Sequence, residues 1–195
     1  MPETTMMGNA IKPNLDWMRT KCTADQWGSM LARLDDEQRR QIELLNGALR
    51  YPVSVFDALS CAFAQVLYPG DTSAAGRAFI EMGRHTATEQ LSGLYSIFLK
   101  FSSPAGTLVK APQLFARLYD GATAEADVLS GGPGQPKGRM TVRGLGELSF
   151  SGPRLAGWAE GALAKTGATG CRVVELGWQQ GLITSDPLIF ELYWD

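Results

Sequence analysis

Between Gly152 and Asp195 the hydrophobic period changes from that of a helix to that of a strand, and this change constrains the fold more than any other feature. Leu155, Trp158, Ala159, Ala162 and Leu163 recur at helical spacing behind Gly152-Pro153, and Gly167 supplies a left-handed residue to end the helix. Beyond it, Val174, Leu176 and Trp178 alternate with Val173, Glu175 and Gly177. Leu188, Phe190, Leu192 and Trp194 likewise alternate with Ile189, Glu191, Tyr193 and Asp195. Two strands about a turn near Gln180-Gly181 and Pro187 are predicted. Upstream, AEADVLSG and RMTVRGLG flank GGPGQPKG, a loop whose glycines and prolines suit a long hairpin connection. Residues 122–195 are therefore expected to form a β-β-α-β-β unit, a four-stranded antiparallel sheet with one covering helix. Its other face is expected to carry Cys171, Val173, Glu175, Ile189, Glu191 and Tyr193, covered either by the helical lobe or by another subunit.

The chain before this unit has helical character. Thr23-Ala24-Asp25-Gln26 has the form of a capping box, and Trp27, Met30, Leu31 and Leu34 follow as an inner stripe. Asp35-Asp36-Glu37 ends that helix or opens the next, which carries Ile42 and Leu45. Tyr51-Pro52 breaks the chain, and Ser54 is the expected cap of a helix apolar over much of its girth, through Val55, Phe56, Leu59, Ala62, Phe63, Val66 and Leu67. Asp71 or Thr72 caps a long helix to about Ser92, with Ala75, Phe79, Gly83, Ala87 and Leu91 inside. From Leu94 to Gly121 apolar helical turns are expected to break at Pro104 and Pro112. The fold class is thus α+β: a flexible arm over residues 1–13, then one domain over 14–195, with a helical lobe of about five helices over 14–121.

A chain of 195 residues with 45% hydrophobic and 19% charged residues buries a sizeable core without disulfides. Its net charge of -2 offers no excess of cations to phosphates, so neither nucleic acid nor an anionic membrane is an expected partner. The three cysteines, Cys22, Cys61 and Cys171, form no CxxC pair, which suits a reducing compartment. The N-terminal residues lack the features of a signal peptide, and no apolar run approaches the ~20 residues of a membrane span. A cytoplasmic location is expected.

Catalytic constellations do not emerge. His85 is the only histidine, and on a helical wheel it falls opposite Ala75, Phe79, Gly83, Ala87 and Leu91, on the wet side with Glu81 and Glu89. Clustered metal ligands at zinc or calcium spacing are absent. Glu175 and Glu191 fall on one sheet face in this reading, as solvated residues or as paired carboxylates. The serines lack a GxSxG context, GLGEL lacks the third glycine of a dinucleotide fingerprint, and the 131–138 loop does not fit a phosphate-binding loop. What remains is a set of rings: Phe56, Phe63, Phe79, Tyr95, Phe98, Trp158, Trp178 and Phe190, with Trp194 beside them. They form either plain core or the lining of an apolar pocket between helices and sheet.

Helical segments followed by strand, strand, helix, strand, strand resemble the heme-nitric-oxide-binding superfamily, which includes 4-vinyl-reductase-type domains and TRAPP trafficking subunits. AFIEMGRH (Ala78 to His85), FSSPAGTLVKAPQLFARLYD (Phe101 to Asp120) and GWAEGALAKTG (Gly157 to Gly167), with a last strand ending in Tyr193-Trp194, resemble a myxobacterial paralogous family of unknown function more closely. The resemblance implies a sensing or assembly fold, often dimeric, with any small molecule held between helical lobe and sheet, and no catalysis. Its heme-binding branch uses a proximal histidine and a YxSxR motif on the propionates. Here YxSxR is missing and the single histidine is expected outside, so no cofactor is expected. The trafficking branch can carry an acyl chain on a cysteine, a role open to Cys61, whose other reading is a small buried hydrophobe. The expected function is a non-enzymatic sensory or regulatory domain for a small apolar ligand or a protein partner. The alternative is a structural homodimerisation or scaffold module without ligand.

Overall fold

The computed structural model describes residues 3–92, 103–181 and 184–195. Its elements run β1 (Thr5–Met7), α1 (Gly8–Lys21), α2 (Ala24–Leu31), α3 (Asp36–Glu43), β2 (Arg50–Pro52), α4 (Val53–Leu67) and α5 (Thr72–Ser92). Then follow α6 (Pro104–Leu118), β3 (Tyr119–Asp120), β4 (Thr123–Val128), β5 (Gly138–Arg143), α7 (Ser151–Ala164), β6 (Arg172–Glu175), α8 (Leu176–Gln179) and β7 (Leu188–Tyr193). The fold is α+β, with the β-β-α-β-β order of the second half as expected.

Local chemistry sets many of the boundaries. Thr23 and Gln26 close a capping box at α2, and Asp35 and Gln38 close a second at α3, so the acidic run opens a helix. The Asp71 carboxylate accepts from the Ala74 amide at the start of α5. Ser54 is no cap: its hydroxyl donates to Glu3, and α4 starts directly behind Pro52. Pro104 occupies the first turn of α6, where its missing donor costs nothing, but the helix then runs on through Pro112. Burial of Leu108, Leu114, Phe115 and Leu118 along one side of α6 outweighs the lost bond. The rest of the Leu94–Gly121 expectation, up to residue 102, lies outside the described residues.

From Thr5 onward the arm expected over residues 1–13 is replaced by β1 and the start of α1. β1 is the central strand of a three-stranded antiparallel sheet in the order β2-β1-β3, with Met6 opposite both Tyr51 and Tyr119. Helix α1 follows at once and continues through Pro13, burying Ala10, Ile11, Leu15, Trp17 and Met18. Three residues are too few to display a period, and Pro13 hid the helix behind them.

The second sheet is antiparallel in the order β4-β5-β7-β6. Its register pairs Val173 with Leu192 and Glu175 with Phe190. Val173 and Glu175 therefore share the buried face with Leu188, Phe190 and Leu192, contrary to the expectation that placed them on the far side. Glu175 and Glu191 point to opposite faces, which removes any carboxylate pair. The predicted strand from Val173 also stops at Glu175, whose carboxylate accepts from the Gly177 and Trp178 amides and caps α8. Ile189, Glu191 and Tyr193 lie on the outer face as expected, with Val174, and a polar ladder runs across it. Arg139 pairs with Glu191 at 3.3 Å, Tyr193 donates to Glu191, and Arg172 lies 4.0 Å from the centroid of the Tyr193 ring.

Helices α5 and α7 join the two halves of the chain through glycines. A Cβ at Gly157 would overlap the Ile80 carbonyl oxygen, and one at Gly83 would overlap the Arg154 carbonyl oxygen. One at Gly161 would stand 2.8 Å from the Ala87 Cβ. The α5 backbone thus rests on the α7 backbone. Arg84 of α5 and Glu160 of α7 pair at 2.6 Å, and Glu160 also accepts from the Val173 amide, which ties β6 to the same seam. Gly157→Ala is expected to lower stability by roughly 2–3 kcal/mol in urea unfolding, because rigid backbone receives the methyl. Gly28→Ala, where an added Cβ meets nothing within 4 Å, is expected to raise stability by about 0.5–1 kcal/mol.

Candidate functional site

The interior between the helices and the sheet is organised by polar side chains on otherwise apolar stripes. Asn14 lies on the buried side of α1 among Ala10, Ile11, Leu15 and Met18, and Thr86 and Gln90 lie on the buried side of α5. A bare polar group in such surroundings costs several kcal/mol unless it is hydrogen-bonded. Each finds a partner: the Thr86 hydroxyl donates to Asn14 Oδ1 at 3.0 Å, Asn14 Nδ2 donates to the Ala10 carbonyl, and the Trp158 indole donates to Gln90 Oε1 at 2.8 Å. Arg154, in the first turn of α7, is only 6% exposed and donates from Nη2 to the Tyr119 hydroxyl at 3.2 Å. Its guanidinium also lies 5.4 Å from the centroid of the Phe56 ring.

Two cavities meet at this point. One, of about 40 Å³, is bordered by β1, α1, α5, α6, β3, β5 and α7, with Met6, Leu114, Leu118 and Met140 as apolar wall and Asn14, Thr86, Gln90 and Arg154 as polar groups. The other, of about 10 Å³, lies towards α4 between Phe56, Asp57, Ser60, Phe79 and Phe150. Met6, Tyr119 and Arg154 line both and form the partition.

The eight rings expected to line a pocket separate into groups. Phe56 and Phe79 reach the smaller cavity and Trp158 the larger. Phe63 is core, packed among Trp17, Tyr68 and Phe79. Phe190 is fully buried on the sheet, and Trp178 sits against Gly76 and Phe150, and neither lines these two cavities. Trp194 lies over Gly138. Tyr95 and Phe98 fall outside the described residues. Asn14, Thr86, Gln90 and Arg154 were not singled out from the sequence, although each interrupts an apolar stripe, and that interruption is the signal that finds them.

Heme does not fit this interior. His85 is exposed on the outer side of α5, beside Asn9, Lys12, Asp16 and Glu89 on an open groove, and the chain has no second histidine. A cavity of about 40 Å³ is far below the roughly 300–1,000 Å³ of sites for drug- or cofactor-sized molecules. Among the described residues no group of three or more His, Cys, Asp or Glu side chains is placed to hold a metal ion. Cys61 lines neither cavity; it is half-buried near Ser149, and burial pushes its thiol upward. No described helix is long and apolar enough to cross a membrane.

Among the described residues, Asp57 is the one carboxyl group in the walls of these two cavities. Burial pushes it up to about 6, against the opposing influence of a Ser149 amide and of the Arg154 charge, and its Oδ1 accepts no hydrogen bond among the described residues. The folded chain therefore holds this proton more tightly than the unfolded chain. The stabilising contribution is full below the ordinary carboxyl value of 3.8 and is lost as pH rises through about 6. Asp57→Asn, which cannot ionise, is expected to gain on the parent protein as pH is raised from 4 to 7.5. Because Asp57 is partly open to solvent, the gain is on the order of 1 kcal/mol. Thermal unfolding of both proteins across that range measures it; a constant difference would show that Asp57 does not titrate with folding.

No protein-family model matches the chain, and no curated protein matches it in sequence. Solved structures do match it in fold. The Fe(II) unliganded H-NOX protein of K. algicida superimposes with a TM-score of 0.68 at 8% identity, covering 97% of each chain. The S. oneidensis H-NOX protein in the Fe(II)NO state gives 0.64 at 15% identity, covering 97% of this chain and 99% of that one. The IWP-051-bound H-NOX of Shewanella woodyi in the Fe(II)CO state gives 0.59 at 14% identity, covering 96% and 93%. The chain has an H-NOX-like fold from end to end, at an identity that carries the architecture alone.

Proposed function

We propose that this chain is a non-enzymatic sensory or regulatory domain of the cytoplasm that holds a small, largely apolar ligand between helical lobe and sheet, without heme. The observation that carries the reading is the larger cavity, with its methionine and leucine wall and polar groups at Asn14, Thr86, Gln90 and Arg154. Apolar surface with a few placed polar groups is the composition of small-ligand sites. Met6 and Met140, both unbranched, allow the wall to adapt around a guest larger than the resting volume. Of the matched H-NOX structures, that of S. oneidensis is described in the Fe(II)NO state, that of Shewanella woodyi in the Fe(II)CO state and that of K. algicida as Fe(II) unliganded. Their architecture supports a sensing role here, while the outward His85 supports a different ligand chemistry. Placement with the myxobacterial paralogous family rests on the sequence stretches quoted above.

Enzymatic activity draws no support from the sheet residues. Glu175 is committed to capping α8, and Glu191 and Arg172 are engaged on the outer face. A structural homodimer is the rival reading; the outer sheet face that would carry it holds the Arg139–Glu191 pair and Arg172 against the Tyr193 ring.

Two measurements test the proposal. Protein produced in cells supplied with heme precursor is expected to show no Soret band; a stoichiometric band would overturn the heme-free reading. Thermal unfolding against short aliphatic and aromatic compounds, charged and neutral, is expected to show a rise of roughly 5–10 °C for a ligand at a hundred times its Kd. Native mass spectra without retained ligand, joined to a flat unfolding series, would defeat the binding role.

A further inference from the structure

Arg154 is the one buried arginine among the described residues, and apart from the face of the Phe56 ring no described group meets its charge by contact. No described carboxylate lies within the 4.0 Å of an ion pair; the described pairs involve Lys12, Arg39, Arg40, Arg84 and Arg139. The segments outside the described residues, 1–2, 93–102 and 182–183, contain no aspartate or glutamate. Among the described residues the single polar contact of the guanidinium is the neutral Tyr119 hydroxyl. Asp57, across the smaller cavity, influences it through space without touching it. A guanidinium has five donors in a planar fork, and buried charges are ordinarily paired as well as hydrogen-bonded.

The remaining donors have an address, since Arg154 lines the larger cavity, whose wall is otherwise mainly aliphatic and aromatic. Tyr119 holds the fork from one side, and its own ring is fixed by stacking on Phe115 at 4.4 Å. We infer that the ligand of this cavity is a small monocarboxylate, a short aliphatic or single-ring acid, whose carboxylate lies on the Arg154 guanidinium and whose apolar body lies among Met6, Leu114, Leu118 and Met140. The planar fork matches a carboxylate bidentately, and such bonds are short and strong where water is excluded. The resting volume of about 40 Å³ selects short acids over long fatty acids. The amide oxygens of Gln90 and Asn14 are taken by the Trp158 indole and the Thr86 hydroxyl, their amide N–H groups are neutral donors, and Arg154 supplies the positive charge that meets the anion.

This inference rests on the ligand-binding reading above, and the experiment separates the two. Calorimetric and thermal-shift titrations use butyrate, hexanoate and benzoate beside butyramide, hexanamide and benzamide. The full chain is expected to bind at least one acid tenfold or more tightly than its amide. Arg154→Met, which keeps an unbranched apolar stem, is expected to erase the preference while still taking up the amide, and Arg154→Lys to restore part of it. Acid and amide binding equally well would overturn the inference and leave the binding role standing. Binding of none of the six, with other apolar compounds still raising the melting temperature, would also overturn it. Should Arg154→Met fail to fold, the comparison of acid with amide on the unaltered chain, and its loss in Tyr119→Phe, decide the matter: an undiminished preference in Tyr119→Phe would contradict a fork held by that hydroxyl.

Discussion

The close approach of α5 to α7 is the contact on which the rest of the molecule depends. Gly83, Gly157 and Gly161 let two helix backbones touch, and the Arg84–Glu160 pair locks the seam at its open end. Because α5 belongs to the helical half and α7 to the β-β-α-β-β half, this one seam fixes how the halves meet. One wall of the interior hangs from it: Thr86 and Gln90 from α5, Arg154 and Trp158 from α7. A side chain at any of the three glycines would move both sets at once, since protein interiors are packed too densely to absorb the displacement locally.

The start of α7 shows what the seam demands of the backbone. Phe150 precedes the helix in the left-handed region at φ 59°, unusual for a residue with a ring. Such a backbone costs on the order of 1–2 kcal/mol. The ring is held by stacking on Phe79 at 4.6 Å and by a tilted contact with Trp178 at 6.0 Å. Aromatic pairs contribute comparable energy beyond the area they bury. The result is the placement of Arg154 one turn later, against Phe56 and Tyr119.

Much of this architecture was legible in the sequence where a single local rule decided the outcome. Thr23 with Gln26 marked a helix start, Asp71 marked another, and the alternation from Leu188 to Tyr193 placed the last strand with the correct face inward. The inner stripe of α5 and the outward His85 followed from one wheel. What failed were outcomes decided by distant partners. β1 exists because β2 and β3 pair with it, and nothing in three residues announces that. Pro112 stays helical because its neighbours are buried, and Val173 turns inward because of its register with Leu192. The site was least legible, for a similar reason: rings are conspicuous in a sequence, yet the cavity is defined as much by Asn14, Thr86, Gln90 and Arg154, whose meaning depends on what faces them.

The three-stranded sheet carries a consequence for how the chain is made. Thr5 pairs on one side with Pro52 and on the other with Asp120, so the earliest strand waits for its last neighbour until α6 has been synthesised. Until then one edge of β1 offers unsatisfied amides and carbonyls to any other strand nearby, in a nascent chain that already exposes the apolar side of α4. Long-range pairing of this kind slows closure relative to the local helices. The interior partition at Met6 and Tyr119 therefore closes only when β3 joins β1, and until then the cavity lies open to the surrounding medium.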